Sequence, residues 1–369
     1  MVQRKQLAKS LILPALLAAA GVSACTVQRM QPPVANQGAV VDDHMAHMTA
    51  EELRGPMAAP EAVIDMAQQG HTGLPASNAT AQARLKASPR HSEYVKIAWE
   101  PGSKDSLMAW IVYPKSTTKA GVVVVVHEIF GLSSWVRGVA DQVAADGFIA
   151  IAPDFLSRVR PGGPSTTELD GTAARGMIGG VDIPQRNLAI IAAANYAMMQ
   201  PSAIQKYAVI GYCWGGTTVF AHAVHGGVKG FSGGVPFYGS FAYSDAGTPA
   251  TASTPAVPGM PNVDSLKKIA QPLMLLNGSA DTRIGATMPY LDSTMKALKK
   301  DYSQMNYPGA IHGFLRAQDD AIAPTAPSER NPNPVQRPDS ALKAEQAANM
   351  AAAKDGWPKT IAFLKKQLK

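Results

Sequence analysis

Cys213, Asp281 and His312 are three side chains whose types and order along the chain could act together as nucleophile, acid and base. Cys213 lies in residues 207–216, YAVIGYCWGG, where an apolar strand-like run breaks into the pattern Gly-x-Cys-x-Gly. This pattern is a nucleophile elbow with cysteine in the place of serine. The elbow is a strained turn that exposes its central side chain, and a Cβ on the flanking residues would clash. The pattern therefore predicts an exposed thiol at the end of a strand.

The acid and the base are expected at the ends of two later strands. Residues 272–281, PLMLLNGSAD, end in Asp281, and residues 306–314, NYPGAIHGF, place His312 in a glycine-flanked loop. The order cysteine, aspartate, histidine matches the order of nucleophile, acid and histidine in the α/β-hydrolase fold. A helix over 217–224 would direct its N-terminus at the sulfur and favour the thiolate. Because a thiolate is also a good leaving group, the set suits activated esters better than amides.

A carboxylate follows the most apolar strand of the chain. Residues 121–130, GVVVVVHEIF, are typical of a central parallel strand buried on both faces, and they include Glu128. A buried carboxylate is costly unless it is hydrogen-bonded or paired, so an ordinary loop does not explain it. Taken alone, Cys213 could still be a small buried residue. The four groups together favour a catalytic site.

From about His91 to its C-terminus, the chain resembles the dienelactone hydrolase family, which comprises carboxymethylenebutenolidase-like α/β-hydrolases with a Cys-His-Asp triad. The resemblance rests on five segments in the same order, namely HEIFGL at 127–132, APDF at 152–155, GYCWGG at 211–216, GSAD at 278–281 and AIHGFLR at 310–316. It implies hydrolysis of a small lactone or ester, with neither a cofactor nor a metal.

The resemblance also implies a role for each matching residue. Cys213 is the implied nucleophile, His312 the base and Asp281 the residue that orients it. Glu128 is implied to hold the resting thiol and to help ionise it when the substrate arrives.

Further positions concern the oxyanion and the substrate. The backbone amides of Ile129 and Trp214 are the implied oxyanion hole. Arg316 matches a family arginine that binds the substrate carboxylate. The family has a second such arginine, and Arg175 and Arg186 remain alternatives for it.

The alternation of strands and helices predicts an α/β-hydrolase fold, with a mostly parallel central sheet and helices on both faces. We expect residues 153–183 to form a loop and the last helix to span 356–367. Two Pro-rich stretches, 244–262 and 321–338, begin near the predicted catalytic edge and could reshape its entrance.

The first residues of the chain predict export. Residues 1–24 carry a basic start and an apolar stretch too short to span a membrane, as in a lipoprotein signal peptide. The sequence before Cys25 is similar to a lipobox, so Cys25 is predicted to be lipidated, with ordinary signal cleavage as the alternative. Because Thr26 rather than aspartate follows, we expect a periplasmic protein anchored to the outer membrane of a Gram-negative bacterium.

Amino-acid composition indicates the domain organisation and argues against one class of partner. Residues 25–90 are rich in Ala, Gln, Pro and Met and are predicted to be a flexible tether, which leaves 91–369 as one α/β domain. The formal charge of +7 falls to +4 without the signal peptide, which is too mild to indicate nucleic-acid binding. We expect a monomer that touches the membrane only through its anchor.

Two other functions stay open beside an exported lactone or ester hydrolase. One is a broader thiol-dependent esterase or thioesterase, and the other is a non-catalytic ligand-binding lipoprotein. The joint presence of Cys213, Asp281 and His312 argues against the binding protein, because a decayed enzyme need not keep all three.

Overall fold

The central feature of the protein is an eight-stranded sheet, seen in a computed structural model that describes residues 71–245, 253, 259–318 and 338–369. Its strands are β1 (Ser92–Ala98), β2 (Ser106–Val112), β3 (Ala120–Val126), β4 (Ile149–Pro153), β5 (Ala203–Tyr212), β6 (Phe231–Phe237), β7 (Leu273–Gly278) and β8 (Tyr302–Tyr307). Their order across the sheet is β1-β2-β4-β3-β5-β6-β7-β8. The pairs β1–β2 and β2–β4 are antiparallel, and all the others are parallel.

Helices connect most of the parallel strands. They are α1 (Ala81–Ala87), α2 (Ser134–Ala145), α3 (Gly171–Met177), α4 (Ile183–Met198), α5 (Trp214–His225), α6 (Val263–Lys268), α7 (Thr282–Gly285), α8 (Met288–Ala297) and α9 (Asp339–Gln367). None of these helices is both long and apolar enough to cross a membrane.

The sheet lies between two layers of helices. Every residue of β3 is buried, and neighbouring side chains point to opposite faces. Val124 belongs to the core shared with α4 and α5, whereas Val125 belongs to the core shared with α2 and α9. The predicted parallel sheet with helices on both faces is therefore confirmed.

Four predicted site residues lie at one edge of this sheet. Glu128, Cys213, Asp281 and His312 follow the carboxyl ends of β3, β5, β7 and β8, which are all parallel. The strand order reverses at β3, because the chain passes from β3 to β4 on one side and then from β4 across β3 to β5 on the other. Ligands of open α/β sheets bind in the crevice at such a switch point.

The tether boundary predicted at about residue 90 is wrong, because residues 74–81 pack on the domain. We call these residues the N-terminal arm. The indole nitrogen of Trp135 donates to the carbonyl of Ala76 at 2.9 Å, and the amide of Asn78 donates to the carbonyl of Arg316 at 2.9 Å. Small residues that fill a groove leave no helical or strand periodicity in the sequence, so composition alone indicated a linker.

Two helix predictions were also wrong. Residues 171–177, expected in a loop, form α3, where the Asp170 side chain accepts hydrogen bonds from two amides of the first turn. The last helix begins at Asp339 rather than at 356, and Pro358 lies inside it. The added turns are rich in alanine, which favours helix strongly but gives no clear apolar stripe.

Several predictions lie outside the described residues. These include the signal peptide 1–24, the lipidation site Cys25 and the tether up to residue 70. The stretch 244–262 is described only at its ends and at Ser253, and the stretch 321–338 only at its last residue.

Candidate active site

Cys213 occupies a strained turn between β5 and α5. Its backbone angles are φ 57° and ψ −116°, in a region that residues with a Cβ rarely adopt. A Cβ on Gly215 would lie 2.5 Å from the carbonyl oxygen of Val126 and 2.6 Å from that of His127. Glycine at this position therefore lets the turn approach the end of β3 closely. The local geometry is that of a nucleophile elbow.

The oxyanion hole was predicted to consist of two backbone amides. The amide of Ile129 lies in the loop after β3, and that of Trp214 is the first of α5. Neither donates a hydrogen bond to another described residue. The amide of Cys213 itself donates to the carbonyl of Phe237 at 3.1 Å, so it is not available for this role.

The acid and the histidine meet where the loops after β7 and β8 are joined. Nδ1 of His312 lies 2.5 Å from Oδ2 of Asp281, and the other carboxylate oxygen accepts from the amide of Ile284 at 3.3 Å. The amide of Ala280 donates to the carbonyl of Ala310 at 3.0 Å, which ties the two loops together. With Nδ1 occupied, the imidazole keeps Nε2 for the thiol.

The charges of this pair support each other. Burial alone would lower the pKa of His312, but hydrogen bonds and charge interactions with Asp281 and Cys213 raise that pKa to about 9. Burial would raise the pKa of Asp281, but the hydrogen bond and charge of His312 hold it below its ordinary value. The site can therefore keep a proton on the imidazole beside the sulfur. The structure brings Cys213, Asp281 and His312 together.

Glu128 has a different partner from the one that the resemblance implied. It is buried, and its Oε2 lies 2.9 Å from Nε of Arg316. Burial raises the pKa of Glu128, although the charges of Arg316 and His312 act in the opposite direction. The resemblance implied a contact with the resting thiol, whereas the thiol here interacts with His312. Sequence could not reveal this pair, because its members belong to strand ends far apart in the chain.

The two candidates for a second arginine lie at different aromatic rings. The guanidinium carbons of Arg316 and Arg175 lie 5.3 Å and 5.9 Å from the centroid of the Phe130 ring. Arg186 lies 4.3 Å from the ring of Trp214 and donates from Nε to a backbone carbonyl at 3.1 Å. Arg175 thus shares a ring with Arg316, while Arg186 supports the first residue of α5.

Tyr238 lies at the site but was missed by the sequence analysis. Its φ is 37°, and its ring meets His312 edge-on with centroids 5.0 Å apart. The buried hydroxyls of Tyr238 and Tyr212 have no hydrogen-bond partner within the described residues. Burial raises the pKa of both phenols, so both are hydrogen-bond donors at neutral pH. Unlike the positive φ of Cys213, that of Tyr238 belongs to no recognised sequence motif.

No cluster of three or more metal-binding side chains occurs in the part of the chain that the structure describes. The reactive and polar groups at this edge are the thiol, the imidazole, the carboxylates and the backbone amides.

The chain is similar in sequence to proteins of one family. A sequence profile described as "Dienelactone hydrolase family" matches residues 107–368. A "Putative carboxymethylenebutenolidase" of Synechocystis is 30% identical over 221 residues, covering 58% of this chain and 84% of the relative. A protein of the same name from Escherichia coli K12 is 24% identical over 267 residues, covering 72% and 84%.

Solved structures share the architecture. A crystal structure titled as that of a "Putative Dienelactone Hydrolase" from Klebsiella pneumoniae aligns with a TM-score of 0.53 and 22% identity, over 75% of this chain and 98% of the other. A dienelactone hydrolase-like promiscuous phosphotriesterase from metagenomic libraries aligns with a TM-score of 0.52 and 20% identity, over 76% and 99%. At these identities the likeness concerns the fold, and it confirms the predicted α/β-hydrolase fold.

Proposed function

This chain belongs to the dienelactone hydrolase family and is a hydrolase of lactones or esters, and we propose that it cleaves them through Cys213, His312 and Asp281. One observation carries the proposal. The thiol sits on a strained turn next to an imidazole whose other nitrogen lies 2.5 Å from a carboxylate. Nucleophile, base and orienting acid in mutual reach are the arrangement that acyl transfer requires.

The first step is attack of the Cys213 sulfur on the substrate carbonyl. His312 accepts the thiol proton on Nε2, while Asp281 holds the Nδ1 proton and stabilises the imidazolium. The raised pKa of His312, about 9, means that the imidazole keeps this proton at neutral pH. The carbonyl oxygen becomes an oxyanion, which the amides of Ile129 and Trp214 would bind.

The remaining steps of the reaction release the alcohol and the acid. The C–O bond of the tetrahedral intermediate breaks, and His312 gives its proton to the departing oxygen, which leaves a thioester on Cys213. Water then attacks the thioester, with His312 again taking a proton, and the acid is released. In a lactone, the alcohol and the acid remain on one molecule.

The pair Glu128–Arg316 supports a substrate that carries a carboxylate. A substrate carboxylate that binds Arg316 would displace Glu128 and leave it buried without its cation. Burial already raises the pKa of Glu128, and losing Arg316 would raise it further. Glu128 would then be basic enough to assist in removing the thiol proton. Substrate binding would thereby activate the nucleophile.

We propose Arg175 rather than Arg186 as the second arginine for this carboxylate. Its guanidinium shares the Phe130 ring with Arg316, whereas Arg186 is engaged by Trp214 and a backbone carbonyl. Two guanidinium groups near one ring could bind one carboxylate with several charge-assisted hydrogen bonds.

The decisive experiment compares the chain 26–369 with its Cys213→Ala variant on p-nitrophenyl acetate and on a dienelactone. Rapid quenching and mass spectrometry should find an acyl group on Cys213 of the unsubstituted chain. Hydrolysis should be lost in Cys213→Ala. Unchanged turnover of both substrates by Cys213→Ala would refute the thiol mechanism and favour a non-catalytic role for this thiol.

A broader thiol esterase is the second candidate, because Arg316 already has a carboxylate partner in Glu128 and a neutral ester need not displace it. Arg316→Ala separates the two candidates. The KM of a carboxylated lactone should rise about 10–100-fold, while neutral p-nitrophenyl acetate should react nearly as before. Arg316→Lys should restore part of the difference, since an ammonium lacks the planar fork. Equal losses on both substrates would favour the broader esterase.

We also propose export and lipid anchoring at Cys25, supported by the basic start and apolar stretch of residues 1–24. Globomycin, which blocks lipoprotein signal cleavage, should cause an unprocessed precursor to accumulate. Cys25→Ser should release soluble protein. Processing that is insensitive to both would indicate ordinary signal cleavage.

A further inference from the structure

His127 is a fully buried imidazole at the end of β3. Its Nδ1 lies 2.6 Å from the carbonyl oxygen of Glu128, and the amide of Phe155 donates to its Nε2 at 3.1 Å. Since Nε2 accepts from a backbone amide, the ring carries its proton on Nδ1 and donates it to Glu128. Burial lowers the pKa of His127, with partial opposition from Asp154, so the ring is neutral.

The carbonyl that His127 contacts belongs to the same peptide group as the amide of Ile129. The C=O and N–H bonds of a trans peptide point in opposite directions, so a donor fixed at the oxygen also fixes the direction of the N–H. A hydrogen bond at the carbonyl also polarises the amide, and such cooperativity strengthens the hydrogen bond that its N–H donates by about 10–30%. His127 therefore acts on one of the two proposed oxyanion donors through a single peptide plane.

The same ring also reaches the other donor. It stacks on the indole of Trp214, with centroids 5.8 Å apart and planes 12° apart, and it meets Phe155 edge-on at 5.2 Å. The carbonyl of His127 is one of the two that closely face Gly215 in the elbow. One imidazole thus contacts both Trp214 and the peptide group that carries the amide of Ile129.

We propose that His127 is a positioning residue of the oxyanion hole, which orients and polarises the 128–129 peptide and sets its separation from Trp214. The inference rests on the proposed function, since an oxyanion forms only if Cys213 attacks a carbonyl. The alternative is that His127 contributes only to the stability of the fold.

The chain contains a matched control in His222, on α5. This imidazole is also buried, and burial lowers its pKa to about 3. Its Nδ1 lies 2.6 Å from Oδ1 of Asn187 and its Nε2 lies 2.9 Å from the hydroxyl of Tyr207. It contacts none of the proposed catalytic groups. Substituting His222 therefore removes a comparable buried ring and both of its hydrogen bonds without altering the oxyanion hole.

The kinetic experiment compares His127→Phe, His127→Asn and His222→Phe in the chain 26–369. His127→Phe should lower kcat about 10–100-fold with little change in KM, less than the roughly 10²–10³-fold for deletion of an oxyanion donor. His127→Asn should recover part of kcat, because its amide can still donate toward Glu128. His222→Phe should lower the melting temperature but keep kcat per folded molecule. An equal kcat in His127→Phe and His222→Phe would overturn the inference.

Infrared difference spectroscopy measures a property of the acyl group that does not depend on the stability of the fold. The carbonyl stretch of a ¹³C-labelled acyl group on Cys213 should shift to higher frequency in His127→Phe, because its hydrogen bonds weaken. His222→Phe should leave the band unchanged. If His127→Phe forms the acyl enzyme but its band is not shifted, the inference about His127 is overturned while the proposed function stands. If no acyl group forms on Cys213 even in the unsubstituted chain, the proposed function fails and the inference fails with it.

A measurement on the unsubstituted chain covers the case in which neither His127 variant folds. Nitrogen-15 NMR of labelled histidines should show His127 as the neutral tautomer with its proton on Nδ1. The opposite tautomer or a charged ring would overturn the inference, because neither fits a ring that donates to Glu128 and accepts from Phe155.

Discussion

The two halves of the catalytic edge are held in place by different forces. Around Cys213 the positions are set by the backbone, through a strained φ and a close approach of Gly215 to the end of β3. Around His312 and Arg316 they are set by pairs of opposite charges, whose partners are Asp281 and Glu128. In the first half the geometry does not depend on charge, whereas in the second half each side chain is held by a partner of opposite charge.

This difference indicates how the site can respond to a ligand. A close-packed backbone turn keeps its geometry when the pH or the ligand changes. An ion pair can exchange one carboxylate for another, and the displaced, buried Glu128 can take up a proton and so avoid a buried charge. A substrate carboxylate can therefore rearrange the charged half while the nucleophile stays in place.

The largest expected effect comes from removing the base in the charged half. His312→Ala should lower kcat by about 10²–10⁴-fold, since it deletes the proton shuttle. Asp281→Asn should cost less, because the imidazole remains but is misoriented. Both variants should fold, with a melting temperature lowered by only a few degrees, because His312 is partly exposed and each change removes one ion pair. Steady-state kinetics and thermal melts check this, and normal turnover by His312→Ala would place the base elsewhere.

Arg316→Ala tests whether the second charged pair is structural as well as ligand-binding. It leaves Glu128 buried without a cation, which should cost about 2–4 kcal/mol of unfolding free energy at pH 8. The loss should shrink as the pH falls, because a protonated Glu128 has no charge to bury. Urea unfolding measures both effects. The double variant with Glu128→Gln should regain most of the stability, and a failure to do so would show that the arginine acts through packing.

Gly215→Ala tests the half that is held by the backbone. The new Cβ would lie 2.5 Å from the carbonyl oxygen of Val126, and the resulting strain should cost about 1–3 kcal/mol. Gly176→Ala, in α3, is the control, because a Cβ there meets nothing within 4 Å. The control should be neutral or should gain about 0.5–1 kcal/mol from helix propensity. Equal stability of the two variants would show that the elbow is not tightly packed against the end of β3.

The smallest expected effect is a pH dependence of the stability gained from His312 and Asp281. The raised pKa of His312 means that its contribution is full below about pH 6.5 and is lost as the pH rises through about 9. The lowered pKa of Asp281 means that its contribution is lost only in acid. The stability difference between the unsubstituted chain and Asp281→Asn should therefore be largest between about pH 4 and 6.5, at roughly 1 kcal/mol because His312 is partly exposed. A difference that stays constant to pH 10 would contradict the assignment.

The features predicted correctly are those whose causes lie within a short segment. β3 contains five consecutive buried valines, and such a run predicts a central strand by itself. The elbow can be predicted because Gly211 and Gly215 lie on either side of the cysteine, at two positions where a Cβ would clash with the backbone. The loop position of Asp281 follows from an apolar run that ends in polar residues, and that of His312 follows from the glycines on both sides of it.

The features that were missed depend on contacts between distant segments. Nothing near Glu128 in the sequence indicates Arg316 as its partner, and nothing near His127 indicates that Phe155 donates to its ring. The edge-on contact of Tyr238 with His312 likewise joins segments that lie far apart in the chain. The early start of α9 was hidden because alanine marks helix by propensity rather than by pattern.

The N-terminal arm determines how far this enzyme can be shortened. Besides the bond from Asn78 to the carbonyl of Arg316, the side-chain amide of Gln318 donates to the carbonyl of Pro75 at 2.8 Å. The arm therefore clamps the segment that carries one partner of the buried carboxylate. A fragment cut at residue 91 would retain every strand and every catalytic side chain, yet it would lose this clamp. We therefore expect the smallest stable catalytic fragment to begin before Leu74, at a limit set by hydrogen bonds outside the sheet.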